Sequence, residues 1–220
     1  MNLFSVFDPS SYFGISMNWI ILMIVYFYFP VKYYLVESGL IKIFKILFVQ
    51  VSKIFKEVSI PNHLALSFMS FMTFMYLATM NLMGLFPFVF TGMAHPFIVL
   101  GLGVVFWLCF FSMGFLKNFK NSCAHLVPEG SPLVLSPLMV LIESISHLIR
   151  PFTLSIRLVA NMMAGHLIIG LLSSISLLSV FGMMGSLLLQ NILLILEFGV
   201  AVIQGFVFSI LLLLYALEYY

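Results

Sequence analysis

The chain has 220 residues, of which 63% are hydrophobic and 7% charged, with a formal net charge of +2 and a mean hydropathy of +1.22. An average soluble domain carries roughly 25% charged residues, so the composition excludes a soluble globular protein and indicates a polytopic membrane protein. Cys109 and Cys123 supply neither a disulfide framework nor metal-ligand spacing, and read as structural.

The opening MNLFSVFDPSSYFG has neither the positive n-region of a signal peptide nor the Arg-rich character of a transit peptide. Insertion from the compartment of synthesis is therefore expected. The weight of Phe (25) and Met (15) is a bias met in AT-rich organelle genomes. A first spanning helix is expected over 17–35, with Trp19 and the tyrosines around Pro30 as interfacial anchors. Residues 40–57 set Ile, Phe, Leu and Val against Lys42, Lys45, Lys53 and Lys56, which suits an amphipathic helix lying on the inner membrane surface. A helix packed on another protein fits that pattern as well.

No Asp, Glu, Lys or Arg occurs between Val58 and Leu116. At about 20 residues per crossing that is room for two spans, expected at 63–85 and 96–116 with a turn containing Pro87 and Gly92 between them. The lysines cluster at 32–56 and at 117 and 120, and the positive-inside rule puts both clusters on one inner side. AHLVPEGSPLVLSP then reads as a loop, with Pro137 in the first turn of the next helix, where its missing N–H costs nothing.

From 136 to 172 the pattern predicts one helix, roughly 54 Å long at 1.5 Å per residue, against a hydrocarbon core of about 30 Å. It must tilt, lie obliquely or kink near Pro151. A second long helix is expected over 186–218. The expected architecture is all-α: about five spanning helices plus one inner-surface amphipathic helix, the last two spans forming a long oblique hairpin. One membrane domain covers the chain, with the N-terminus outside and the C-terminus inside. No repeat or low-complexity segment is visible.

Arg157 is the only Asp, Glu, Lys or Arg between Arg150 and Glu197. An arginine at mid-span costs roughly 2.5–3.5 kcal/mol on insertion scales, so it persists where it faces a cavity, a counter-charge or a partner subunit. At 100° per residue, Glu143, Ser146, Arg150, Thr153 and Asn161 all point within about 40° of Arg157. On the last helix Gln190, Glu197 and Gln204 recur every seven residues and share a face. The antiparallel arrangement puts His166 about 13 Å outward of Arg157, on the level of Glu197. Gln204 and Asn161 fall near Arg157, and Glu143 with Ser146 towards the inner surface.

Taken singly, His166 can be a helix-end histidine, Gln190 an interhelical hydrogen bond and Arg150 a snorkelling side chain paired with Glu143. His63, His95 and His125 lie near span ends or in loops and read as interfacial. Arg157 and Glu197 differ from these, being ionisable, mid-span and unaccompanied in local sequence, and for them a functional role outweighs a structural one.

The run AHLVPEGSPLVLSPLMVLIESISHLIRPFTLSIRLVANMMAGHL resembles subunit a of the rotary proton-driven ATP synthase, in its mitochondrial form. NLFSVFDPS, MNLMGLFPF and LEFGVAVIQGFVFSILLLLYALE resemble other blocks of that family in the same order, so the resemblance covers essentially the whole chain. It implies that Arg157 is the arginine facing the carboxylates of the rotating c-ring. It implies that Asn161, His166, Glu197 and Gln204 lie on the half-channel from the high-proton side, and Glu143 and Ser146 on the outlet side. Bacterial members usually carry Glu where this chain has His166 and His where it has Glu197, and the reciprocal exchange agrees with a contact between the two. No family role attaches to His147.

The resemblance further implies a mitochondrial inner membrane location, N-terminus in the intermembrane space and C-terminus in the matrix. Expected partners are the c-ring, other stator and membrane-sector subunits and the lipid bilayer, with protons as the transported species, no cofactor and no nucleic acid. No GxxxxGK[ST] loop is present, which puts the ATP chemistry in other subunits. A self-contained proton-coupled secondary transporter is the alternative, though the repeat symmetry and interrupted helices expected of one are not seen. An intramembrane hydrolase using Ser146 or Ser155 is remote, since neither a GxSxG elbow nor an HExxH pair occurs.

Overall fold

The computed structural model describes residues 7–9, 16–23, 38–59, 64–86, 89–117, 119–125, 127, 135–176 and 180–218. Within these the protein is all-helical, with α1 (Gly39–Val58), α2 (Leu64–Gly84), α3 (Pro96–Lys117), α4 (Phe119–His125), α5 (Ser136–Ser176) and α6 (Val180–Glu218). Short 3-10 turns cover Met17–Ile20 and Gly92–Ala94. Four of the helices, α2, α3, α5 and α6, are long and apolar enough to cross a membrane. Helices are the form that apolar segments must take in lipid, because each backbone N–H and C=O then finds its partner within the segment. The chain is thus a polytopic membrane protein. The expected first span begins in the Met17–Ile20 turn, and residues 24–35 of it lie outside the described residues, as do His63 and Pro87.

Both long helices exceed their expected bounds, α5 running 41 residues and α6 39. Pro137 does sit in the first turn, where Met139 N donates to the Leu135 carbonyl at 3.1 Å. Pro151 does not end α5. Its ring is buried at the contact with α3, where Gly103 lets the two helices close together: a Cβ there would collide with Ser155 Oγ. Ser155 Oγ in turn donates to the Pro151 carbonyl at 2.8 Å. Lys117 ends α3 and Lys120 lies within the short helix α4, whose last residues, Ala124 and His125, fall where the loop was expected to begin.

The bundle is organised around α6, which packs along α2 and α5, while α3 covers the other side of α5. Small residues permit the close approaches, as expected where lipid supplies no hydrophobic drive between helices. A Cβ at Gly205 would lie 3.3 Å from the Ala78 nitrogen. The buried hydroxyls of α2 satisfy themselves on their own helix, Ser70 Oγ reaching the Leu66 carbonyl at 2.9 Å and Thr73 Oγ1 the Ser70 carbonyl at 2.8 Å. Leu77, Leu158 and Phe208 form the centre of the main core.

Helix α1 begins at Ser38, whose Oγ accepts from Ile41 N at 3.4 Å. Its lysines are exposed, but so are Ile43, Ile46, Leu47 and Val49, an apolar surface suited to lipid. The far end is held by protein. Phe55 is fully buried, with its ring 6.0 Å from that of Phe74 and 5.9 Å from that of Phe206. Phe55→Ala is expected to cost about 3–5 kcal/mol and to open α1 to protease in the detergent-solubilised complex. Unchanged melting and cleavage would mean that lipid alone holds this helix.

Candidate functional site

Arg157 lies on the exposed side of α5, among Ile149, Phe152, Ile156 and Ile168, which are exposed too. The opposite side of the same turns, Leu154, Ser155, Leu158, Val159 and Met162, is buried in the bundle. Among the described residues Arg157 makes no hydrogen bond or ion pair. A guanidinium on an outward face that is apolar apart from Thr153 and the half-buried Asn161 is therefore left to be met by something beyond the described residues.

Behind that face the polar side chains gather between α5 and α6. Asn161, one turn beyond Arg157 and half-buried, donates from Nδ2 to Gln204 Oε1 at 3.3 Å. Gln204 is itself buried. Seven residues before it on α6, Glu197 is also buried, its carboxylate seated against the backbone of Gly165, where a Cβ would collide with Oε1. Only glycine leaves room for the carboxyl there. A cavity of about 180 Å³ joins these groups, lined by Asn161, Ala164, Gly165, Ile168, Glu197 and Val200. Since Ala164 and Ile168 are exposed, the cavity opens on the same face as Arg157, one helical turn away.

His166 follows Gly165 in sequence, but the hydrogen bond expected between it and Glu197 is not made directly. The imidazole Nε2 and both Glu197 carboxyl oxygens are buried without a hydrogen-bond partner among the described residues. The ring lies instead beside the backbone of Gly84 at the end of α2 and meets Phe7 edge-on, centroids 6.4 Å apart. Facing directions explain the difference: successive residues on a helix point 100° apart, and Glu197 packs against position 165. Gln190, the third member of the expected stripe, is half-buried and makes no hydrogen bond among the described residues.

At the other end of the hairpin Glu143 Oε1 lies 3.3 Å from His147 Nε2 and 3.7 Å from Arg150 Nη2. Arg150 Nη1 donates to Glu218 Oε2, and the guanidinium sits 5.2 Å from the Tyr215 ring centroid. Arg150 thus makes the expected pair with Glu143 and in addition cross-links α5 to the last turn of α6. Glu218 and Tyr215 were not singled out from sequence. The i,i+4 spacing of Glu143 and His147 is legible on one helix, whereas the Glu218 contact spans 68 residues and leaves no local signal. Ser146 Oγ is turned to the Glu143 carbonyl at 2.8 Å. A larger groove of about 670 Å³ between α1, α2 and α3 is lined by side chains such as Phe48, Met72 and Phe106, a surface for lipid rather than for ions.

The family model described as ATP synthase A chain matches residues 13–216. ATP synthase subunit a of Drosophila mauritiana is 41% identical over 219 residues, covering 99% of this chain and 98% of that protein. ATP synthase subunit a of Drosophila melanogaster and that of Anopheles gambiae are each 40% identical, with the same coverage. A helical membrane bundle, a solitary outward arginine and a match over nearly the full length agree, and the chain belongs to the ATP synthase A chain family.

Proposed function

We propose that this chain is the stator proton-channel subunit of a mitochondrial ATP synthase, delivering protons to and from the carboxylates of a c-ring through two offset half-channels. The observation that carries the reading is Arg157, a permanent cation on an exposed face with no hydrogen bond or ion pair among the described residues. The cavity at Asn161 and Glu197 opens one turn away. A ring carboxyl arriving opposite the guanidinium meets an opposite charge a few ångströms away, which lowers its pKa by about 1–3 and expels its proton towards the outlet side, Glu143 and Ser146. Beyond Arg157 it is reprotonated from the inlet side through His166, Glu197, Asn161 and Gln204, and re-enters lipid neutral. Arginine is effectively never deprotonated, so it cannot relay the proton and separates the two paths. A proton crossing 100 mV releases roughly 2.3 kcal/mol, which the offset converts into rotation.

On this reading the chain lies in the mitochondrial inner membrane, N-terminus in the intermembrane space and C-terminus in the matrix, with α1 on the matrix surface. Its lysines there face anionic headgroups. A self-contained transporter would need the arginine's counterpart inside the chain, and the outward placement of Arg157 favours a counterpart in another subunit.

Co-purification with a ring of small hairpin subunits tests the assembly, and proton conduction through membranes holding the whole complex tests the path. His166→Ala or Glu197→Ala is expected to slow proton uptake, because each removes one proton-exchanging group from the proposed inlet path. The exchange His166→Glu with Glu197→His is expected to recover part of the rate through bridging water. If the double exchange is no faster than the slower single variant, the two residues are not coupled.

A further inference from the structure

The buried side-chain nitrogen and oxygen atoms that lack a hydrogen-bond partner, among the described residues, belong to Asn81, Thr91, His95, His166 and Glu197. These five are not scattered through the bundle. Asn81 is near the end of α2, and Thr91 and His95 bracket the Gly92–Ala94 turn, which packs on α5. Thr91 and His166 both meet Gly84: His166 lies beside its backbone, and the Thr91 methyl group would be 3.3 Å from a Cβ placed there. Asn81 Nδ2 donates to the Ala201 carbonyl at 3.2 Å, one turn along α6 from Glu197. The His95 ring is held against Trp19 and Phe90, with centroid separations of 5.1 and 5.4 Å.

An aromatic cluster alone would explain a packed ring at 95, but not the polar atoms buried with it. Each buried donor or acceptor left without a partner costs about 1–3 kcal/mol, and several such groups gathered near the end of α2 make a setting that ordered water satisfies, at about three hydrogen bonds per molecule. Imidazole and hydroxyl both donate and accept, so each can pass a proton along a water file without a permanent charge. We propose that Thr91 and His95 form the outer mouth of the inlet path, holding through ordered water a hydrogen-bonded file that continues to His166 and Glu197. The proton gained at His95 Nε2 leaves to water on the inner side, and the histidine returns to neutral with each transfer. This proposal rests on the inlet reading of His166 and Glu197.

The test is the rate of proton conduction in membranes carrying the assembled complex, with Glu197→Gln as the reference. His95→Phe keeps a ring between Trp19 and Phe90 but removes the exchangeable nitrogens. Thr91→Val keeps the shape and removes the hydroxyl. Both are expected to slow conduction about tenfold, a barrier increase of about 1.4 kcal/mol. Imidazole added on the outer side is expected to restore part of the His95→Phe rate, and Thr91→Ser to restore most of the loss seen in Thr91→Val. Should His95→Phe not assemble, the Thr91 pair and His95→Gln decide the matter in the same assay. Unchanged rates in His95→Gln and Thr91→Val beside a slowed Glu197→Gln would overturn the mouth while leaving the inlet reading in place. An unchanged rate in Glu197→Gln would remove the inlet reading itself.

Discussion

Arg157→Ala is expected to reduce proton-driven ATP synthesis below detection while the subunit still assembles. The side chain is exposed and makes no hydrogen bond or ion pair among the described residues, so its removal takes away no packing. On the proposed function, what it removes is the charge that makes a ring carboxyl release its proton, and a pKa effect of about 1–3 corresponds to about 1.4–4 kcal/mol of driving force. On the same reading it also removes the barrier between the two half-channels, so passive proton leak is expected to rise. Arg157→Lys is expected to fail largely as well, because a compact ammonium shifts its pKa readily and lacks the planar fork. Synthesis at the unsubstituted rate in Arg157→Ala membranes would refute the central assignment.

Gly165→Ala is expected to leave the bundle folded and yet slow proton uptake to the level of Glu197→Gln. The added methyl group falls on Glu197 Oε1 and 2.5 Å from Cδ, closer than any real contact, so the carboxyl must vacate its seat. The far end of a glutamate moves by rotamer change at modest cost, and alanine gains about 0.8–1 kcal/mol of helix propensity over glycine. Stability is therefore nearly preserved while the proton-carrying group is misplaced. Shortening the acid in the same background, Gly165→Ala with Glu197→Asp, is expected to recover part of the rate by relieving the clash. A Gly165→Ala complex that conducts normally would show that the position of this carboxylate does not matter.

Composition and hydropathy alone determined that this protein is a bundle of membrane helices, because in lipid an apolar stretch of about 20 residues has only one way to satisfy its backbone. The excess length of the last two helices and the shared level of Asn161 and Gln204 were legible for a related reason. Helical rise and period are constants, so a residue's level and facing direction follow from its number. The helix ends were less legible: α5 reaches Ser176 and α6 starts at Val180, since Ser and Gly lower helix propensity without forbidding the helix. Tertiary structure alone decided which groups touch. It seated Glu197 against Gly165 rather than His166, tied Arg150 to Glu218 across 68 residues, and packed the His95 ring against Trp19 and Phe90. Those contacts depend on how two helices are rotated and brought together, which small residues such as Gly103, Gly165 and Gly205 permit. Sequence periodicity describes one helix at a time and carries no record of its partner's rotation.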